Sequence, residues 1–438
     1  MIYGGDIQGG TITTAGGATL RGGPTASSPG ALDGVTLAGT LDLSHSASGN
    51  ISNYDGLTLN NGTILIGTAD DTVNYGVLDF SGVQTLGGTG SVVFGANALD
   101  SLYTDLGLTI GSGITVHGQT GYIGYNPNYS IQANSTFTNQ GTIDADVAGG
   151  EITLQGDLQF GSWSSSGTLR AENGATLRLM GTFSNTGLIA AHGGSTILFG
   201  DSHGYGATTF ALNSGSHYDT AGGTVVIDGT LNNTGHTLTL DSTTGSWSVT
   251  YGGTIQGGTI TTANGAVLLG DNAGTSSPGY LDGVTLAGTL DLSHTATGGI
   301  EFSGGLTLNG GTILIGTAGD AVNYGILTSG TANQTLGGTG TITFGGNVTD
   351  SIQSGVGLTI GASILIHGQD GFIGYNPHYS IHPGSTFNLW ARSMPTPAAA
   401  RSPCWRTAGP TPAPWRLITA APWTLPAPRP TTTPQPAP

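Results

Sequence analysis

Apolar and polar positions alternate along this chain in short bursts. Val35 and Leu37, then Leu41 and Leu43, stand at period two, with Thr36, Thr40 and Asp42 between them and Gly39 at the break. Alternation over so few residues predicts half-buried strands, because successive side chains of a strand leave opposite faces. The glycine predicts a bend between two of them. The same grammar returns in "GLTLNNGTILIG", where Leu57 and Leu59 are followed by Ile64 and Ile66. It returns again in "LTIGSGITVHG", with Leu108 and Ile110, then Ile114 and Val116. No comparable stretch keeps a helical period, so an all-β chain of many short strands is expected.

Repetition organises these strands. "LDGVTLAGTLDLSH" occurs unchanged at 32–45 and 281–294, and residues 3–137 match 251–387 almost throughout. The offset grows from 248 at Tyr3 to 249 at Leu32 and 250 at Leu108, single-residue slips of the kind loops absorb. Within the larger repeat runs a smaller one: "FTNQG", "FSNTG" and "LNNTG" place Asn139, Asn185 and Asn233 at intervals of 46 and 48, while Gly39 to Gly62 and Gly90 to Gly113 are each 23 apart. Half of 46 is also 23, so a coil of roughly 20–24 residues is expected. One such coil buries too few aliphatic side chains to offset the entropy of ordering it. Stacked coils share hydrogen-bond ladders and cover one another's strand edges. The expected architecture is a single right-handed parallel β-helix, a β-solenoid, over 1–387, with copies 3–137 and 251–387 joined by further coils at 138–250.

Composition narrows the class without changing it. The chain has 80 Gly in 438 residues and only 8% charged side chains. Glycine at that density opposes long helices, and the absence of a strict three-residue period excludes collagen. There is no lysine, and only Arg21, Arg170 and Arg178 precede residue 388, against 25 acids, a net charge of −22 for that region. Such a surface repels nucleic acid and anionic lipid. The sole cysteine, Cys404, excludes a disulfide within the chain. No apolar run is long enough to span a bilayer, and "MIYGGDIQGG" lacks the basic and apolar regions of a signal peptide.

The phrases "STFTNQGTIDAD", "GTFSNTGLIAAHGGSTILFG" and "GTLNNTGHTLTL" resemble the strand, Asn-Gly turn, strand pattern of large secreted bacterial adhesins. Autotransporter passenger regions and filamentous-haemagglutinin-like exoproteins are the nearest groups. The resemblance covers most of 1–387 and implies export to the cell surface, adhesion or surface display, and partners among host or neighbouring-cell glycans and proteins. The barrel that anchors an autotransporter is not recognised in the sequence, so membrane association is expected only through parts of a longer parent. Residues 1–3 align with the end of "GSWSVTYGG" in the second copy, which places Met1 in mid-coil and predicts a fragment.

Candidate chemistry is sparse. "GYIGYNPNYSI" and "GFIGYNPHYSI" concentrate Tyr122, Tyr125 and Tyr129, and correspondingly Phe372, Tyr375 and Tyr379, beside Asn-Pro. Aromatic faces next to amides can stack on sugar rings, whereas the same residues also close a turn by packing. Asp70, Asp71 and Asp320 follow "GTILIGTA" in loops, but no carboxylate pair of hydrolytic spacing can be named before the register of the coils is known. The calcium nonapeptide is absent, since "GGTGSVVFG" and "GGTGTITFG" carry no aspartate. His45, His294, His117 and His367 show no metal-ligand spacing, and "GGTGSV" and "GGTGTI" lack the lysine and helix of a phosphate loop. No catalysis, metal or cofactor is expected. The enzymatic alternative is a β-helix polysaccharide lyase or hydrolase. A third reading, ice binding through a flat Thr-x-Thr array, is disfavoured because threonines do not recur at every coil interval in the sequence.

Residues 388–438 are foreign to the rest. They hold 13 of the 19 prolines, four of the six tryptophans, five of the eight arginines and no acid. Proline at this density removes the donors a ladder needs, so a disordered tail is expected. A slipped reading frame near Phe387 also accounts for it: read one base earlier, positions 391 and 395 become glycine and alanine whatever the codons, matching Gly141 and Ala145, and permitted third bases restore "GTIDAD". A single-base correction near codon 387 that opens a frame continuing the repeat is the expected finding in the nucleotide sequence.

Overall fold

The computed structural model describes residues 2, 4–23, 29–45, 48–125, 135–156, 162–200, 209–211, 216–250, 252–271, 278–374, 386–390, 392–393 and 415–416. Every regular element among them is a β-strand, and successive strands wind into stacked coils of three faces. A representative coil runs Thr176–Met180, Thr182–Asn185 and Leu188–Ala191. Each of its strands pairs in parallel with its counterpart in the next coil, Thr196–Gly200, Thr209–Ala211 and His217–Asp219. The chain is therefore a parallel β-solenoid. Period-two alternation is what one inward and one outward row per face require.

The aliphatic positions read from the sequence are the core. Val35, Leu37, Leu41, Leu43, Leu57, Leu59, Ile64 and Ile66 are all buried, as are Leu108, Ile110, Ile114 and Val116. From the end of the first copy the inward residue of the second face is aromatic in four successive coils, Phe137, Trp163, Phe183 and Phe210 following one another in register before Leu231. Their rings lie nearly parallel with centroids 5.0, 4.4 and 5.4 Å apart, an offset ladder along the axis.

Coil length varies more than the sequence period suggested. Thr176 pairs with Thr196, twenty residues on, whereas Gly121 pairs with Ile152, thirty-one residues on. The strands stay short and the corners take up the difference. The buried asparagines mark one corner: Asn139 pairs with Ser165, and Ser165 with Asn185, so their 46-residue interval spans two coils. Asn139 Oδ1 accepts from the Gly141 N–H at 3.1 Å while its Nδ2 donates to Ser165 Oγ at 3.1 Å. Asn185 repeats the turn with Gly187.

Tracing the ladders reveals a property of the duplication. The first face passes through 30–33, 51–54, Gly76–Phe80, Ser101–Thr104 and Gly121–Gly124. Followed through the joining coils, it reaches the second copy at Thr289–Asp291. The first-copy counterpart of that strand, Thr40–Asp42, lies on the third face, paired with Leu20–Arg21 and 63–65. Likewise 279–282, the counterpart of 30–33, stacks on Thr254–Gln256 of the second face. The repeat is not a whole number of coils, and the second copy is turned one face round the axis.

Beyond Phe387, Arg392–Ser393 pairs with Leu365–Ile366 as Thr142 and Ile143 pair with Thr115 and Val116. The ladder thus keeps the register of the first copy at the start of the tail. Apart from 388–390, 392–393 and 415–416, the tail lies outside the described residues.

Candidate functional site

Among the described residues, the aromatic candidates form no open platform. Tyr125 is only 3% exposed, at a corner where its N–H donates to Gln155 O at 2.7 Å, and Phe372 is 7% exposed. Burial assigns both to packing. Tyr122 is half-buried at an outward position between Ser101 and Thr153. Tyr129, Tyr375 and Tyr379 lie outside the described residues. Because of the rotation, Tyr122 belongs to the first face and Phe372 to the second.

The loop acids serve their own turns. Asp71 Oδ1 accepts from the N–H groups of Val73 and Asn74, and its Oδ2 from Asn74 Nδ2. Asp320 repeats this with Val322 and Asn323. These bonds, the Asn74 side chain first for Asp71 and the Val322 N–H first for Asp320, hold both carboxyls below their ordinary value.

What the sequence did not disclose is a row of charges along the third face, running from the end of the first copy into the joining coils. His117, Asp144 and Arg170 occupy one outward position in three successive coils, and Asp219 returns to it after Ala190. Asp146, Glu172 and His192 sit two residues further on, at the adjoining corner. His117 Nδ1 lies 3.0 Å from Asp146 Oδ2, and Arg170 Nε donates to Asp144 Oδ2 at 3.1 Å and lies 3.3 Å from Glu172. His192 stands between Glu172, at 3.7 Å, and Asp219, at 3.1 Å. The members are a coil apart in sequence, twenty to twenty-nine residues, which hides the row from any local motif. The available signal was the scarcity of cations: Arg170 and Arg178 each follow an acid by one coil, and Arg178 grips Glu151 with Nε at 2.7 Å and Nη2 at 3.0 Å.

Asp144 is the least exposed member at 4%, and its Oδ1 has no hydrogen-bond partner among the described residues. Burial pushes this carboxyl up, opposed by the hydrogen bond and charge of Arg170 and reinforced by Glu172 and Asp146. Donating that hydrogen bond to Asp144 in turn strengthens the guanidinium's hold on its proton. We read the contact as an ion pair, since arginine stays charged at any ordinary pH. Arg170→Met should then cost about 1–3 kcal/mol, less than a fully buried pair because a third of the arginine side chain is exposed. Denaturant midpoints should show most of that loss recovered in Asp144→Asn/Arg170→Met, which removes the stranded charge. Equal losses in single and double variants would mean that the pair is not coupled.

Hydroxyl rows line the second face. Ser162, Thr182, Thr209, Thr230 and Thr254 succeed one another without a gap. Here the structure departs from the sequence reading, because unequal coil lengths disguise a row that is regular in space. The second row a flat Thr-x-Thr lattice needs runs from Thr85 through Thr109, Thr138 and Ser164 to Ser184, then gives way to Ala211, Asn232 and Gln256. Neighbouring hydroxyls bond along the ladder, Ser164 to Thr138 at 3.4 Å on this face and Thr261 to Thr239 at 3.1 Å on the third. Cross-strand pairing accounts for them.

No group of three or more histidine, cysteine, aspartate or glutamate side chains among the described residues is arranged to hold a metal ion. Compared with known proteins, the chain matches no family model and no characterised sequence.

Proposed function

We propose that this chain is a surface-exposed, adhesive or display segment of a secreted bacterial exoprotein, with glycans or proteins of a host or neighbouring cell as its partners. The observation that carries the reading is the rotated duplication. One outer surface is written twice and offered on two adjacent faces along one axis, which suits contact with several ligands from a rigid body. A catalytic groove gains nothing from being turned away from its copy. The engagement of Asp71 and Asp320 within their own turns adds support. The test is binding of the purified chain to immobilised glycans and to cells, with no release of reducing or unsaturated sugar from polysaccharides. Polysaccharide turnover by the purified chain would overturn it.

A second reading, a polysaccharide-processing β-helix, is favoured by the charge row. There, partly buried carboxyls, an arginine and imidazoles share one lateral face, the ingredients of acid–base chemistry on a sugar. It requires that sugar release, once detected, disappear in Asp144→Asn or Glu172→Gln while the fold persists.

A further inference from the structure

Two aspartates take part in none of the sites above and are the most completely buried acids among the described residues. Asp100 and its second-copy counterpart Asp350 are each 0% exposed. Asp100 follows the corner 95–99 and turns its carboxyl inward beneath the loop 67–76 of the preceding coil. Oδ1 accepts the Gly76 N–H at 3.0 Å and Oδ2 the Gly95 N–H at 3.0 Å, so one side chain joins two coils. A Cβ on Gly67 would fall 1.9 Å from Oδ2, so this cradle requires glycine. Asp350 repeats the arrangement with Gly325 at 2.9 Å, Gly345 at 3.1 Å and Gly316 as the third wall.

The loop held down in this way is tied at other points too. Asn97 Nδ2 donates to Thr72 O and Asn74 O, and Gln119, two coils from the loop, accepts the Asp70 N–H through Oε1. In the second copy Asn347 and Gln369 make the matching contacts with Asn323 O and the Gly319 N–H. At the tips stand Val73, 75% exposed, and Val322, 79% exposed. Each apolar tip is thus presented on a braced loop.

We propose that Asp100 and Asp350 are acid-locked clasps: the neutral carboxyl holds its loop against the next coil, and ionisation frees the loop to open and let water reach the charge. Among the described side chains the surroundings supply no cation. The titratable groups on the elements packed around Asp100 are Asp70, Asp71 and Tyr75 of the loop, Asp79 of the strand that follows the loop, Tyr103 of the strand that follows Asp100 and Tyr122 of the following coil; segments 95–99 and 119–121 carry none. Around Asp350 they are Asp320, Tyr324 and Asp370. Arg21, Arg170 and Arg178 are engaged with Asp42, Asp144 and Glu151 elsewhere. Burial dominates, opposed by the backbone N–H donors and reinforced by Asp71 or Asp320, and raises both carboxyls from 3.8 to about 7.

The sign follows from linkage. Closed loops bind the proton more tightly than open ones, so closure is fully favoured below the ordinary aspartate value and is lost as pH rises from there to about 7, levelling above it. Between pH 5.5 and 8 the opening constant should rise on the order of thirtyfold, with most of the change below pH 7. Amide hydrogen exchange on the intact chain, corrected for the intrinsic pH dependence, reads this directly in peptides covering 67–76 and 316–325. Peptides of the joining coils, such as 182–200, serve as reference. The expected result is a loss of protection confined to the two loops. Asp100→Asn should flatten the response at 67–76 and leave 316–325 responsive, and Asp350→Asn the converse. Protection of both wild-type loops that does not change across this range would overturn the proposal, as would an unaltered response in a folded Asn variant. Should a variant not fold, the wild-type measurement decides alone.

Discussion

Trp163→Ala should destabilise the solenoid by about 3–5 kcal/mol, among the largest effects available to one side chain here. Trp163 is 2% exposed and lies between Phe137 and Phe183, with ring centroids 5.0 and 4.4 Å away. Its Nε1 donates to Met180 O at 2.8 Å, so the indole also satisfies a carbonyl at the end of the neighbouring first-face strand. Truncation opens a cavity in the middle of the ring ladder and strands that carbonyl. The neighbours cannot close the gap, because each is fixed by the backbone ladder of its own coil. Trp163→Phe keeps the stack and loses only the hydrogen bond, so it should cost about 1–2 kcal/mol. Urea unfolding followed by circular dichroism measures both. Equal costs for Ala and Phe would show that the carbonyl contact, not the ring ladder, sets the stability of this segment.

That experiment also probes how the body unfolds. In a stack where each coil touches only its neighbours, stability is a sum of coil and interface terms. A weakened coil in the joining segment should therefore part the two copies before either melts. The copies and the joint differ in how their aromatic rings are arranged. In the copies the inward rows are mostly leucine, isoleucine and valine, with Phe80, Phe94, Phe302 and Phe344 among them; in the joint, Phe199 and Trp247 flank the ladder, 5.7 Å apart.

How much of this was readable depended on whether the signal was local. The strands were, because Leu57–x–Leu59 and Ile64–x–Ile66 bury one side whatever their neighbours do. So was the corner, since an asparagine two residues before a glycine closes its own turn. The pairing between coils was not, because it depends on corner lengths that vary from step to step. Arg170 meets Asp144 only once the step at that corner is known to be 26 residues. The rotation of the second copy is invisible for the same reason: "LDGVTLAGTLDLSH" is identical in both places, yet 40–42 and 289–291 lie on different faces. The clasps are not legible in the sequence because nothing local to Asp100 or Asp350 says that three glycines from two coils enclose them.

Gly167→Ala carries the other large effect, and its cause is steric. Asn139, Ser165 and Asn185 mark a corner where Gly141, Gly167 and Gly187 stack in three successive coils. A Cβ on Gly167 would stand 2.0 Å from Gly141 O, and one on Gly187 1.9 Å from Gly167 O. Neither glycine needs left-handed backbone, so the requirement is for empty space. The threatened carbonyl already works, accepting the Thr168 N–H at 2.9 Å, and Asn139 Nδ2 lies 3.3 Å from it. A methyl group there must push the coils apart and pull that buried ladder bond open, which combines overpacking with an unsatisfied donor. We expect about 2–5 kcal/mol. Gly149 is the control: a Cβ there meets nothing within 4 Å, and its φ of +73° imposes only the left-handed penalty, about 1–2 kcal/mol. Unfolding midpoints should therefore place Gly167→Ala well below Gly149→Ala, and limited proteolysis should cut the former first near this corner. Gly167→Ala as stable as Gly149→Ala would mean that the coils at this corner are not in close contact.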